Sequence, residues 1–298
     1  RWATSAPATA PEIGPVTTPA RLRMADLVAE LRPGMTMYVP GVSGESLAFA
    51  EALKARPEAA AGVRFVGVHF PGINRTDYLG LHPAAQQRGY FMTASLRAAL
   101  GDGRAELVPT DYPGAYRDLA EHVEVDLALV QLAPPDANGV CSPGLSSDFH
   151  PAIWPRAKRR IAHINPSLPA THGSFLPQLG DFDAVIEHAH PPVYFDTGSV
   201  DEAARRHAAH VAGLVHDGDT LEFGIGKLPS AILQALVHHR RLRVWSGMVS
   251  PPVTAYAFTA SWVITAIAAT GLSAVEVIAR TRRQHGGLAD AILINALE

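Results

Sequence analysis

Two glycine loops carry the residues of this chain whose types and spacing best suit chemistry. Residues 33–53 read PGMTMYVPGVSGESLAFAEAL and residues 217–236 read DGDTLEFGIGKLPSAILQAL. Each phrase is a turn, a short apolar strand, a glycine-rich loop and a helix. Gly34 matches Gly218 and Thr36 matches Thr220, both 184 positions apart, while Leu53 and Leu236 are 183 apart, so the second loop is one residue shorter. Backbone that leaves a strand through glycines and enters a helix N-terminus turns its N–H groups outward, which suits an anion or a developing oxyanion. Gly41 and Gly44 in the first loop, and Gly224, Ile225, Gly226, Lys227 and Leu228 in the second, are therefore the expected ligand contacts. Two copies point to two related α/β halves facing one ligand.

The other reactive residue types point to less. Among the 14 histidines, His188 and His190 lie two apart and His238 and His239 are adjacent, neither giving the i, i+4 pair that zinc enzymes use on a helix. No metal site is expected. His163 falls on an expected strand and His172 in the loop after it, and both read as core or surface histidines. Cys141 is the sole cysteine, which excludes an internal disulfide and a CxxC knuckle, fits a reducing cytoplasm, and reads as a buried side chain. GxSxG, Walker and GxGxxG patterns do not occur.

The elements that must position these loops alternate along the chain. Helical spacing of Met24, Leu27, Val28 and Leu31 is followed by a strand over 35–39 and a helix over 46–56. Further strands are expected at 63–68, 106–108, 125–132, 160–164 and 184–187. The stretch VDLALVQL is apolar on both faces, as a central parallel strand covered by helices would be. Ser199 with Glu202 forms a capping box for a helix running to Val215. The pattern breaks near Pro191 and Pro192, placing a boundary at about residue 195. Residues 1–21, rich in Pro, Ala and Thr, read as a flexible arm without the apolar core of a secretory signal. Residues 22–195 and 196–298 read as two domains.

At 298 residues, 47% hydrophobic and 18% charged, the chain can bury a core for two such domains. A net charge of -3 gives no electrostatic footprint for nucleic acid or an anionic membrane. Pro251 to Val275 holds no charged residue over 25 positions, long enough to cross a bilayer, but Pro, Ser, Thr and Gly recur through it. It is expected to be a buried strand and helix.

Four segments together resemble the acetyl-CoA hydrolase and 4-hydroxybutyrate CoA-transferase family. Residues 130–144, VQLAPPDANGVCSPG, and 157–173, AKRRIAHINPSLPATHG, are similar to its amino-terminal domain. DGDTLEFGIGKLP resembles its coenzyme A loop, and the terminal ILINALE, which contains Asn295, resembles its AINSALE strand. The resemblance implies two open α/β domains of related architecture with the active site in the cleft between them. It also implies acyl-CoA and a small carboxylic acid as partners, no permanently bound cofactor, and a homo-oligomer or a hetero-oligomer with a related subunit. In the family a glutamate attacks the thioester and passes through a glutamyl-CoA intermediate, dividing one hard step into two easier ones.

This chain departs from the family at that residue. The family's HSEM motif aligns with Trp245, Ser246, Gly247 and Met248, so the nucleophile position is Gly247, with Met248 beside it as a ligand contact. Glycine has no side chain to attack, and loss of a covalent nucleophile has cost on the order of a million-fold in turnover elsewhere. Glu222, where the family usually has glutamine, and Glu45, after the first loop, are the remaining carboxylates for a base. The family also continues beyond the position of Glu298 with glycine-rich segments, so the second domain is expected to be incomplete. The expected activity is thioester hydrolysis or acyl transfer without the glutamyl-CoA intermediate. The alternative is a non-catalytic acyl-CoA-binding subunit that partners an active homologue.

Overall fold

The computed structural model describes residues 18–171, 175–193, 198–244 and 262–263. Ten elements of the first part build or cover one sheet: β1 (Ala20–Arg21), α1 (Met24–Glu30), β2 (Thr36–Tyr38), α2 (Leu47–Lys54), β3 (Arg64–Gly67), β4 (Gln86–Gly89), α3 (Ala94–Ala99), β5 (Ala105–Leu107), α4 (Tyr112–Glu121) and β6 (Leu127–Leu132). Three more follow: α5 (His150–Ile153), β7 (Arg159–Ile164) and β8 (Ala184–Glu187). The eight strands run parallel in the order β1-β8-β7-β6-β2-β3-β4-β5.

Period-two alternation sorts the strand residues between two cores. Met37, Phe65, Leu127 and Leu129 face Leu27 and Val28 of α1 and Phe49 and Leu53 of α2. Tyr38, Val66 and Ala128 face Leu119 of α4 and Ile153 of α5. Every residue of β6 is buried, as its unbroken apolar run requires. The chain moves outward from β2 through β3, β4 and β5, then returns to the other side of β2 with β6. That reversal makes the carboxyl ends of β2 and β6 a topological switch point, where open α/β sheets leave a crevice for ligands.

The later part holds α6 (Glu202–Ala212), β9 (Thr220–Leu221), α7 (Lys227–Ala235), β10 (Leu242–Val244) and β11 (Trp262–Val263), with the strands parallel in the order β11-β10-β9. Its core joins Leu233 of α7 and Leu236, the residue that caps its C-terminus, to Leu242 and Val244 of β10. The repeated phrase is repeated as structure. Gly34 and Gly218 both adopt left-handed φ, 86° and 89°. The Gly34 N–H donates to Gly62 O at 2.8 Å and that of Gly218 to Arg240 O at 2.9 Å, each carbonyl lying just before the next strand. Arg64 N–H then donates to Met35 O at 2.9 Å and Arg243 N–H to Asp219 O at 2.8 Å. The copies diverge at the helix: α2 starts six residues before Leu53, α7 nine before Leu236, so the second helix takes up part of its loop.

Three local expectations are corrected. The strand β4, QQRG, went unread because its polar residues hide a period that burial of Gln87 and Gly89 obeys. Residues 20–21, at the end of the expected arm, pair with Ala184 and Val185, using the open backbone edge of β8 in a stretch too short to show a period. The cap of α6 is Asp201, whose Oδ1 accepts the Ala204 N–H at 2.8 Å, in place of Ser199, and the helix stops at Ala212. Among the described residues no helix is long and apolar enough to cross a membrane.

Candidate functional site

The first glycine loop leaves β2 at the switch point. A Cβ on Gly41 would sit 2.0 Å from Val68 O, so the neighbouring strand end itself demands glycine there. The Gly41 N–H donates to Asp148 Oδ2 at 2.9 Å, that of Val42 to Asn74 Oδ1 at 3.0 Å, and that of Gly44 to Gly41 O at 2.9 Å. The outward-facing amides expected of Gly41 and Gly44 are thus turned onto protein acceptors, because the loop closes as a 3-10 turn over Val42–Gly44. Val42 and Asp148 hold φ of 47° and 49°, a left-handed conformation that costs a non-glycine residue roughly 1 to 3 kcal/mol.

Behind this loop lies a buried polar cluster. Glu45 is 1% exposed, and its Oε2 accepts from Asn74 Nδ2 at 2.9 Å while Oε1 has no hydrogen-bond partner among the described residues. Burial lowers the pKa of His69, against the pull of the Glu45 charge, and keeps the imidazole neutral. Gln87 Nε2 meets His69 Nδ1 at 3.2 Å, which makes Nδ1 the acceptor and Nε2 the protonated nitrogen. His69 Nε2 lies near the Val39 and Pro40 carbonyls without a well-formed hydrogen bond. Tyr78 stacks on His69 at 5.5 Å, and burial, then the Glu45 charge, pushes its phenol well above the usual range. A cleft of about 370 Å³ opens beside this cluster, lined by His69, Asn74 and Gln87 and rimmed by Arg75, Asp77 and Ser95.

On the other side of β2 the polar groups are satisfied. Gln131 Nε2 donates to Glu45 O at 3.3 Å, and Asn165 Nδ2 donates to Gln131 Oε1 and His190 O, each at 2.7 Å. His163 Nε2 donates to His188 O at 2.8 Å, so its Nδ1 accepts the Ser46 hydroxyl at 2.9 Å. Burial, with a smaller repulsion from His188 and His190, brings His163 down to about 4. It is a satisfied core histidine. Cys141 is buried and its thiol is pushed up to about 11, chiefly by burial. Among the described residues no three His, Cys, Asp or Glu side chains are placed to hold a metal.

The second glycine loop differs in what its backbone does. The amides of Gly224, Ile225 and Gly226 find no acceptor among the described residues. A Cβ on Gly224 would meet open space, whereas Gly226 has φ of 136° and caps α7. Lys227 Nζ is drawn to Asp201 Oδ2 at 2.6 Å, and Leu228 is partly exposed. Glu222 is exposed, unlike Glu45. His172, Trp245, Ser246, Gly247, Met248 and Asn295 lie outside the described residues. Sequence reasoning missed His69, Asn74, Gln87 and Asp148. The first two stand just past the end of the expected strand at 63–68, a position that could have marked them, while Gln87 and Asp148 left no sequence signal.

Comparison with known proteins adds a family. The model described as the acetyl-CoA hydrolase/transferase N-terminal domain matches residues 22–195. The 4-hydroxybutyrate coenzyme A transferase of Clostridium kluyveri is 28% identical over 215 residues, covering 70% of this chain and 49% of that protein. The succinyl-CoA:acetate/propanoyl-CoA:succinate CoA transferase of Fasciola hepatica is 32% identical over 184 residues, 58% of this chain and 38% of that protein. The chain spans about half the length, or less, of these curated relatives. Among solved structures, RipA from Yersinia pestis matches with a TM-score of 0.72 at 22% identity, over 82% of this chain and 60% of that one, a likeness of fold.

Proposed function

Because the chain belongs to the acetyl-CoA hydrolase/transferase family, we propose that it binds an acyl-CoA and acts on the thioester without a glutamyl-CoA intermediate. The observation that carries this reading is the second glycine loop, whose three amides have no acceptor among the described residues and stand at the start of α7. Such donors stabilise the oxyanion formed when a thioester carbonyl is attacked, by roughly 3 to 4 kcal/mol per donor. In this reading Gly224, Ile225, Gly226, Lys227 and Leu228 hold the pantetheine and thioester, with Met248 and Asn295 completing the ligand's surroundings, while Gly41 and Gly44, whose amides serve protein acceptors, shape the first loop instead. The site lies in the cleft between two related domains, 22–195 and 196–298. Coenzyme A comes and goes as substrate, and a small carboxylic acid is the second partner.

Gly247 sets the chemistry. With no carboxylate at that position, water or the acceptor acid attacks the carbonyl carbon directly. The new C–O bond forms, the C–S bond breaks, and the coenzyme A thiolate leaves. When water attacks, its surplus proton passes to a base. Of the two carboxylates at the loops, Glu45 suits the base better than Glu222, since it is buried and keeps one oxygen without a partner among the described residues.

Gly247 equally favours a second reading, in which the chain is a non-catalytic acyl-CoA-binding subunit of a cytoplasmic oligomer whose active homologue supplies the glutamate. Mass spectrometry of the protein incubated with acetyl-CoA, paired with a thiol-release assay, separates the readings. Thiol release with no protein adduct supports direct attack. Binding without release supports the subunit reading, and an adduct on any carboxylate of the wild type overturns the absence of a covalent route. The variant Gly247→Glu is expected to gain an adduct at residue 247 with weak turnover, because the groups that orient a nucleophile must be in place as well.

A further inference from the structure

The cleft beside the first loop is floored by hydrogen-bond acceptors whose neighbouring donors are already spent. Gln87 is 4% exposed, its Nε2 donates to His69 Nδ1 at 3.2 Å, and its Oε1 has no hydrogen-bond partner among the described residues. Asn74 uses both amide hydrogens, on Val42 O at 3.0 Å and on Glu45 Oε2 at 2.9 Å. His69 turns Nε2 toward the Val39 and Pro40 carbonyls, and burial keeps its ring neutral, so it brings neither a donor nor a positive charge to the cleft. Two carboxylates stand close by. Asp77 is exposed on the rim and Glu45 is buried behind Asn74, and neither has an ion pair among the described residues.

We infer that this cleft seats a primary ammonium group, with Gln87 Oε1 as its buried acceptor and Asp77 as its counter-charge. The acyl-CoA reading neither requires nor supplies such a ligand. An ammonium carries three donors and no acceptor, the complement of a floor rich in acceptors. A bare buried amide oxygen has lost its hydrogen bond to water, and a ligand N–H restores one. A hydroxyl makes that bond as well, but only a cation gains from carboxylates that pair with no cation among the described residues. A carboxylate ligand meets repulsion from both and sets its own acceptors against Gln87 Oε1. Arg75, exposed on the rim and without an ion pair among the described residues, repels a cation at the mouth and so favours the position beside Gln87. The hydroxyls of Thr76, Thr93 and Ser95 line the same space, whose volume of about 370 Å³ suits a small ligand.

NMR titration of the whole chain at pH 7 with n-butylammonium, 1-butanol and butyrate tests this by changing only the end group of a short alkyl chain. Wild type is expected to bind n-butylammonium about tenfold more tightly than either of the others. Asp77→Asn keeps an acceptor for the Gly80 N–H, which donates to Asp77 Oδ1 at 2.9 Å, and should weaken n-butylammonium about threefold while leaving 1-butanol unchanged. Arg75→Ala should strengthen n-butylammonium about twofold, the opposite of what a carboxylate seat would show. Both residues are exposed, so these variants should melt with the wild type. Gln87→Leu should abolish saturable binding. Titration with 4-aminobutyrate identifies the source: tighter binding than n-butylammonium assigns the ammonium to an amino acid and weaker binding to a simple amine, and either order supports the seat. 1-Butanol or butyrate bound as tightly as n-butylammonium, affinity unchanged in Asp77→Asn or in a folded Gln87→Leu, weaker binding in Arg75→Ala, or no saturable binding of n-butylammonium overturns the inference. No coenzyme A enters these titrations, so their failure is distinct from failure of the thioester experiment.

Discussion

Asn74 holds Val42 by both of its backbone polar groups: Oδ1 accepts the Val42 N–H and Nδ2 donates to the Val42 carbonyl, each at 3.0 Å. Val42 is β-branched and sits at φ of 47°, a conformation it would abandon if free. One side chain thus offsets the strain in the first glycine loop, and the same amide steadies the Glu45 carboxylate.

Asn74→Ala should destabilise the protein by about 2 to 4 kcal/mol, the sum expected for several lost bonds and a carboxylate left without its donor. Adding Val42→Gly should recover about 1 kcal/mol, since glycine takes this φ without strain. Chemical denaturation of the single and double variants measures both. A double variant no more stable than Asn74→Ala would remove strain at Val42 from the account.

Glu45→Gln separates burial from chemistry. The amide keeps an acceptor for Asn74 and removes a charge from a site that is 1% exposed, so stability should hold or rise. If Glu45 is the base, thiol release should fall about 10² to 10⁴-fold, as for other general bases. Unchanged release from a stable variant would exclude it.

His163 gives the fold an acid limit. Its folded pKa, about 4, lies below the value near 6.5 of an unfolded histidine, so the unfolded chain binds the proton first. Stability from this residue is complete above about pH 6.5 and falls as the pH drops toward 4, by about 3 kcal/mol in all. The lowered pKa of His69 acts with the same sign. Denaturation at pH 7 and pH 4.5 should show the loss, and His163→Gln should flatten it; an unaltered slope in that variant would assign the loss to other groups.

The glycines should separate by role. Gly224→Ala places its Cβ in open space and should leave the melting temperature unchanged while weakening acetyl-CoA binding by calorimetry. Gly226→Val adds a β-branched side chain at φ of 136° and should cost stability of about 1 to 3 kcal/mol as well. Gly41→Ala, with its Cβ 2.0 Å from Val68 O, should lose more than about 3 kcal/mol whatever the ligand does. Full acetyl-CoA affinity in a folded Gly224→Ala would take the second loop out of the site.

The sequence by itself determined the elements whose patterns are local. The apolar run ending at Leu132 made a buried parallel strand, because a strand covered on both faces needs apolar residues at every position. The phrase repeated at Gly34 and Gly218 became the same turn twice, because left-handed φ and a following strand are encoded within a few residues. Tertiary structure alone decided what those elements meet. Gln87 on a polar strand, His69 and Asn74 past the end of another, and Glu45 after a third converge only because β2, β3 and β4 lie side by side with their carboxyl ends aligned. No residue spacing records that alignment, since it is set by strand order across the sheet. The first glycine loop shows the same division: its glycines were legible as glycines, but whether its amides faced a ligand or Asp148 and Asn74 depended on residues 107 and 32 positions away.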